Sequence, residues 1–214
     1  MYECEMIDHA SPKLRSLVPV FAVAIVCIAV LIGAWIWFSP RIVAQREHAR
    51  LMELADALPP SLYDNDPLAD RIMVSDPLLG TDQQQPVLRA RLRGQPTALV
   101  LQAVAPNGYG GPIVLRIGIR QDGSVIAVRV LEQHETPGIG DPIERSKSDW
   151  IDQFRGRSLR DPDAGKWKLR KDGGDFDQLA GATVTPRAVV AAIGKALEYY
   201  RQNRANLFAP MSHR

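Results

Sequence analysis

The chain has 214 residues, 46% of them hydrophobic, which suits one globular domain with an appended segment. Its 26 Lys and Arg residues oppose 24 Asp and Glu residues, for a net charge of +2 without a basic block, which argues against nucleic acid as a partner. Cys4 and Cys27 are the only cysteines, so the sequence after residue 38 offers no thiol for a disulfide, a thiolate metal site or an iron–sulfur cluster.

The first predicted element is an apolar, uncharged run over residues 17–38. As an α-helix it would be about 33 Å long, which matches a bilayer hydrocarbon core of about 30 Å. Trp35, Trp37 and Phe38 gather at its C-terminal end, where aromatic side chains favour the lipid–water boundary. A cleaved signal peptide is the alternative, but its apolar region would usually span only about 7 to 15 residues. We therefore expect one transmembrane helix after a tail over residues 1–16, and the Lys and Arg residues on both sides leave its orientation open.

The segment after the apolar run leads into a soluble domain. Residues 42–58 predict a short helix that Pro59 and Pro60 end, which we interpret as a stalk. Residues 61–96 are rich in Pro, Asp and Gln and predict loops and short strands rather than a hinge between domains. The sequence thus places the stalk and the N-terminal part of the domain in residues 39–96, and the rest of the domain in residues 97–208.

The pattern after residue 96 predicts an antiparallel sheet followed by a helix. Residues 97–104 read as a strand, and residues 113–120 and 124–132 as a hairpin that turns at Asp122 and Gly123. Thr185 is a suitable N-cap, Pro186 suits the first helical position, and an apolar stripe follows it. Because strands and helices do not alternate, the predicted fold class is α+β, with helices flanking the antiparallel sheet.

Residues 177–183 (DQLAGAT) precede the predicted helix and are the first candidate site. Free backbone N–H groups and the positive end of the helix dipole would favour a phosphate near Thr183. Gly181 and Ala182 have minimal side chains and would let a bulky ligand approach the backbone. An ordinary capped turn explains the same spacing, so the residues alone leave both interpretations open.

Residues 134–140 (HETPGIG) form the second candidate site. His134 and Glu135 do not predict a metal pair, because adjacent side chains diverge and no further His or Cys accompanies them. Gly138 and its neighbours predict a tight loop whose N–H groups could face a cofactor ring, with Glu135 and Thr136 as polar contacts. A plain structural turn is the alternative.

The motif at residues 177–183 resembles the flavinylation motif Asp-x-x-x-Gly-Ala-Thr, which this chain matches at Asp177, Gly181, Ala182 and Thr183. Further segments resemble, in the same order, the G subunit of the Rnf ion-translocating electron transport complex: GYGGPI, HETPGIGDPIE, DWIDQF, KDGGDFD and TPRAVVAAI. The resemblance covers residues 106–200 and includes the single N-terminal span.

This resemblance implies an FMN-binding domain that carries FMN joined covalently through its phosphate to Thr183, with Asp177 serving a separate flavin transferase. It also implies a single-pass protein of the bacterial inner membrane with a periplasmic domain, assembled with the other membrane subunits of a ferredoxin:NAD oxidoreductase. Glu135, Thr136, Gly138 and Thr185 are the further residues expected at the cofactor. The expected role is to pass electrons through FMN, without independent catalysis and without a metal.

Two alternatives remain for the function. The C subunit of the sodium-translocating NADH:quinone reductase has a similar anchor, domain and flavinylation motif, and is the nearest one. A non-redox assembly module would not need the acceptor threonine. A hydrolytic enzyme is disfavoured, because the sequence offers no nucleophile with an evident His and carboxylate constellation.

Overall fold

The computed structural model describes residues 55–209 and six isolated helical, exposed positions, which are Val23, Ile25, Cys27, Ile28, Ile32 and Trp35. Within these described residues, no helix has both the length and the apolarity that crossing a membrane requires. The predicted tail and most of the predicted span over 17–38 lie outside them. The predicted stalk helix also lies largely outside; of its described part, Ala55 is helical and residues 56–58 form a turn and a bend.

Five antiparallel strands form one meandering sheet in the order in which they occur along the chain. They are β1 (Arg71–Asp76), β2 (Thr81–Leu92), β3 (Gln95–Ala105), β4 (Ile113–Arg120) and β5 (Val125–Glu132). β3, β4 and β5 correspond to the three strands that the sequence predicts, and the antiparallel α+β class is confirmed. The β4–β5 hairpin turns at the predicted position, where the Gly123 N–H donates to the carbonyl of Arg120 at 2.9 Å.

The region over residues 61–96 contains more regular structure than its composition predicts. β2 is a 12-residue strand, and its polar first half is mostly exposed while its second half reaches the core. Pro86 pairs with Met73 of β1 but precedes the first β2–β3 pair, Val87 with Leu101. Its missing N–H therefore interrupts no bond to β3. The prediction of loops and short strands was wrong for β2, because Pro and Gln were read as signals against a strand.

One long helix, α1 (Val184–Leu207), packs on one face of the sheet. Its predicted apolar stripe is buried together with strand residues such as Leu99, Ile117 and Ile119. The other face is covered by the chain's own segment around Ala57 and Leu58. A Cβ on Gly118 would lie 2.0 Å from the carbonyl oxygen of Ala57, so this crossing requires glycine. The helix therefore covers one face of the sheet, and this segment covers part of the other.

The helix begins two residues earlier than the sequence predicts, so the assignment of Thr185 as N-cap was wrong. Thr183 occupies the cap position without a side-chain hydrogen bond to the helix. Its carbonyl accepts from the Arg187 N–H at 3.2 Å, which closes the first turn. Pro186 is tolerated as the third helical residue, because the first four N–H groups of a helix have no partner inside it. Thr185 is free to direct its hydroxyl elsewhere.

The connection from β5 to α1 is built from short 3-10 turns, including Trp150–Phe154 and Arg170–Asp172. Three aromatic rings hold it against the core: Phe154 lies 4.9 Å from Phe176 and 6.1 Å from Trp167, between ring centroids. Trp167 is buried as part of this cluster. This aromatic cluster positions the chain that leads into residues 177–183.

Candidate cofactor-binding site

A cavity of about 490 Å³ opens where the β3–β4 loop, the loop after β5 and the start of α1 converge. Six of the predicted site residues line it: Glu135, Thr136, Gly181, Ala182, Thr183 and Thr185. The structure therefore brings together two candidate sites that are separated by about 40 residues in the sequence. Asp177 and Gly138 do not line this cavity.

The floor of the cavity is organised around the buried carboxylate of Glu135. Its Oε1 accepts from the Gly110 N–H at 3.1 Å, and its Oε2 accepts from the Thr185 hydroxyl at 2.5 Å. A Cβ on Gly140 would lie 2.7 Å from Oε2, and one on Gly108 would lie 2.7 Å from Oε1. Glycine at these positions makes room for the carboxylate, which links the start of α1 to the β3–β4 loop.

The loop after Glu135 is held by a second buried carboxylate, Asp141. Its Oδ1 accepts from the Gly138 N–H at 2.5 Å, and its Oδ2 lies 2.8 Å from the Lys147 ammonium. The hydrogen bond from Lys147 holds the pKa of Asp141 below its usual value. Gly138 has a φ of 76°, which a turn of this kind requires. Its N–H binds Asp141, so Gly138 shapes the loop and lies apart from the cavity lining.

Thr183 lies at the mouth of the cavity with a half-buried side chain. Its Oγ1 accepts a hydrogen bond of 2.6 Å from the Lys171 ammonium. Gly181, two residues earlier, has a φ of 77° and turns the chain into the helix. The hydroxyl thus stands beside a cation, at the end of α1 where backbone N–H groups are free.

Asp177 does not line the cavity, and two hydrogen bonds hold its backbone in place. Its N–H donates to Gln153 Oε1 at 2.7 Å, and its carbonyl accepts from the Trp150 indole at 2.8 Å. Its exposed carboxylate pairs with Arg170 at 2.8 Å. The side chain is therefore accessible from solvent, while the 3-10 turn at Trp150–Phe154 holds the main chain in place.

Three apolar side chains at the cavity rim are not among the site residues that the sequence predicts. Tyr109 is 74% exposed, Ile139 47% and Val184 43%, which is unusual for large apolar groups that line one opening. No periodicity marks them, because each lies in a loop or at the first residue of a helix. Their one sequence signal is position: Ile139 lies inside the second candidate segment, Val184 directly follows the first, and Tyr109 lies in the GYGGPI segment. Lys171 was also missed as a contact of Thr183, although it lies in the KDGGDFD segment.

The residues present fit FMN. The cavity volume lies within the range of about 300 to 1,000 Å³ that is usual for cofactor sites. The rim offers apolar surface for an aromatic ring, and the mouth offers a hydroxyl, an ammonium and a helix N-terminus for a phosphate. An amphipathic ligand with a flat ring and one phosphate matches both parts.

Comparison with known proteins first identifies the class of domain. Residues 108–198 match the family model of the FMN-binding domain. The chain is 52% identical over 168 residues to the G subunit of the ion-translocating oxidoreductase complex of Pseudomonas aeruginosa, which covers 78% of each protein. It is 46% identical over 183 residues to that of Stutzerimonas stutzeri (85% of this chain, 78% of the relative) and 43% over 168 residues to that of Vibrio atlanticus (78% and 80%). The chain belongs to this family of G subunits of ion-translocating oxidoreductase complexes, which confirms the resemblance seen in the sequence.

Proposed function

We propose that this chain is an electron-carrying subunit of a redox-driven ion-translocating complex of the Rnf type, with FMN joined through its phosphate to Thr183. The observation that carries the proposal is the Thr183 hydroxyl at the mouth of a cavity of cofactor size, beside the Lys171 ammonium. The match to an FMN-binding domain and the names of the relatives support the cofactor and the complex.

In this proposal each part of the site has one task. Lys171 and the free N–H groups of α1 hold the phosphate, and Tyr109, Ile139 and Val184 provide apolar surface beside the ring. Glu135 fixes the distance between the β3–β4 loop and the helix start through its two hydrogen bonds. When bound, FMN supplies the ability to accept and release electrons. A covalent link prevents loss of the carrier during turnover, so its distance from donor and acceptor stays constant.

The membrane location belongs to the same proposal. The apolar run over residues 17–38 serves as a single transmembrane anchor, and residues 1–16 lie in the cytoplasm. The flavin domain then lies in the periplasm and meets the other membrane subunits of the complex. A separate flavin transferase loads the domain, and the exposed Asp177 serves that enzyme.

Replacement of Thr183 tests the covalent link. Thr183→Ala removes the acceptor oxygen, so the full-length protein should lose covalent FMN completely while Thr81→Ala, the same change at the start of β2, retains it. In-gel fluorescence after denaturing electrophoresis and the intact mass of the purified chain measure the loss. A fluorescent Thr183→Ala band of normal strength would contradict the assignment.

The same variant separates an electron carrier from an assembly module. In membranes that contain the assembled complex with Thr183→Ala, ferredoxin-linked NAD reduction and ion translocation should both stop. Immunoblotting and co-purification establish that the subunit is present. Full coupled activity in an assembled, flavin-free complex would replace the proposed role with a non-redox one.

A further inference from the structure

We infer that Lys171 activates the Thr183 hydroxyl for flavin attachment and then neutralises the phosphodiester that forms there. The inference rests on the proposed function. It assigns a chemical role to a side chain that lies 12 positions before the acceptor and outside the Asp-x-x-x-Gly-Ala-Thr motif. The main observation behind the inference is the hydrogen bond of 2.6 Å from Lys171 Nζ to Thr183 Oγ1.

The direction of this hydrogen bond is fixed by chemistry. A lysine ammonium has three donors and no acceptor, so Lys171 donates and the threonine oxygen accepts. The hydroxyl proton of Thr183 is then left to point away from the ammonium. A charged donor at this oxygen stabilises negative charge on it, which favours the alkoxide that attacks phosphorus.

The backbone at Lys171 is held near Thr183 by its neighbours. Arg187 of α1 forms a two-pronged ion pair with Asp172, at 2.8 and 2.9 Å, and this pair holds the pKa of Asp172 below its usual value. The N–H of the same Arg187 donates to the carbonyl of Thr183. The residue after Lys171 is thus tied to the helix turn that carries Thr183, which keeps Lys171 within reach of the Thr183 hydroxyl.

Lys171 also differs from the two arginines nearby. Arg170 is paired with Asp177, and Arg187 is paired with Asp172. Within the described residues, no carboxylate lies at ion-pair distance from Lys171, and its ammonium donates to the Thr183 hydroxyl. Its positive charge therefore remains available for an incoming phosphate.

The attachment step requires an activated donor, which we identify by class as a flavin dinucleotide. In such a donor the FMN phosphate is half of a phosphoanhydride. The bond between Thr183 Oγ and phosphorus forms, the phosphoanhydride bond breaks, and the departing nucleoside monophosphate keeps its electron pair. The hydroxyl proton passes to a base of the transferase or to water, and no electron is transferred. The product is a phosphodiester with one negative charge beside the Lys171 ammonium.

The test compares rates of flavin attachment on purified, flavin-free full-length protein that is incubated with flavin transferase and flavin adenine dinucleotide. Lys171→Met should lower the maximal rate by about 10-fold or more, since a charge-assisted hydrogen bond is lost from the transition state. The protein concentration at half-maximal rate should change little. Lys171→Arg should recover most of the rate, and Lys168→Met, a matched change nearby, should behave as the native protein. In-gel fluorescence and nucleoside monophosphate release measure the same step independently.

The Lys171→Arg variant separates activation from a structural role, because it restores the positive charge with a side chain of a different shape. An unchanged rate in Lys171→Met, or an equal loss in Lys168→Met, would overturn the inference and leave attachment at Thr183 standing. Retained covalent flavin in Thr183→Ala would instead refute the proposed function. If Lys171→Met unfolds at lower temperature, recovery of the rate in Lys171→Arg decides.

Discussion

Two threonines near the start of α1 make different contacts although they are only two residues apart. Thr183 directs its oxygen to the cavity mouth and accepts from Lys171, whereas Thr185 is buried and donates to Glu135. The first hydroxyl lines the cavity beside an ammonium, and the second completes the hydrogen bonds of a buried carboxylate. Their roles at the residue scale follow from direction and burial, which the sequence Thr-Val-Thr does not reveal.

The Thr185–Glu135 bond predicts a measurable stability change. Thr185→Val keeps the shape of the side chain but removes the donor to Glu135 Oε2, so the free energy of unfolding should fall by about 1 to 3 kcal/mol. Urea unfolding of the flavin-free protein, followed by circular dichroism, measures the change. Thr185→Ser keeps the hydroxyl and should lose less. Equal stabilities of Thr185→Val and the native protein would show that Oε2 does not depend on this donor.

At the scale of elements, Tyr200 ties the C-terminal half of α1 to the β4–β5 hairpin. Its hydroxyl donates to the carbonyl of Gln121 at 2.9 Å, beside the hairpin turn. Burial raises the pKa of Tyr200 to about 12, because the phenolate would lose its hydration. Burial also raises the pKa of Tyr199, the preceding residue. Helix and hairpin are therefore joined through a group that must remain neutral.

These pKa shifts predict a loss of stability at alkaline pH. A tyrosine that ionises near pH 10 when unfolded but near pH 12 when folded contributes stability below pH 10, and that contribution declines as the pH rises from 10 to 12. Urea unfolding between pH 8 and pH 11 measures the slope. Tyr200→Phe should reduce the slope without abolishing it, since Tyr199 acts in the same direction. An identical slope in Tyr200→Phe would show that Tyr200 does not ionise on unfolding in this range.

Some secondary-structure elements could be predicted from the sequence and others could not, for identifiable reasons. The hairpin was predicted because apolar residues alternate along β4 and Asp122-Gly123 marks its turn. β2 was missed because its exposed half is polar and its proline lies where no bond to β3 is needed. The start of α1 was misplaced because Thr185 resembles a cap, and only its contact with Glu135 shows otherwise. The cavity as a whole could not be predicted, since it depends on loops that meet only in the folded chain.

For the whole molecule, the cavity lies at one end of the sheet and uses three segments that the sheet brings together. The β3–β4 loop contributes Tyr109, the loop after β5 contributes Glu135, and the helix start contributes Thr183. The family match over residues 108–198 spans all three segments. β1, β2 and β3 lie outside that match but belong to the sheet on which α1 packs.

The proposed topology predicts an asymmetric pattern of proteolysis. Spheroplasts treated with a membrane-impermeant protease should lose the flavin domain, because everything after residue 38 would face the periplasm. The tail over residues 1–16 should stay protected, as detected with an N-terminal epitope. A cytoplasmic protein serves as the control for lysis. Loss of the tail with survival of the domain would reverse the proposed orientation.

The packing around Glu135 has a consequence for surveys of genomes. The carboxylate, its close glycines Gly108 and Gly140, and its donor Thr185 form a fingerprint of the pocket that is independent of the proposed acceptor, Thr183. A homologous sequence that keeps this fingerprint but lacks the acceptor should retain a pocket for reversible binding of flavin. A homologous sequence that keeps the acceptor threonine but carries larger residues in place of the glycines should lack the pocket, although it retains the residue proposed for covalent attachment. Scoring the two features separately would sort flavin carriers from degenerate copies before any protein is purified.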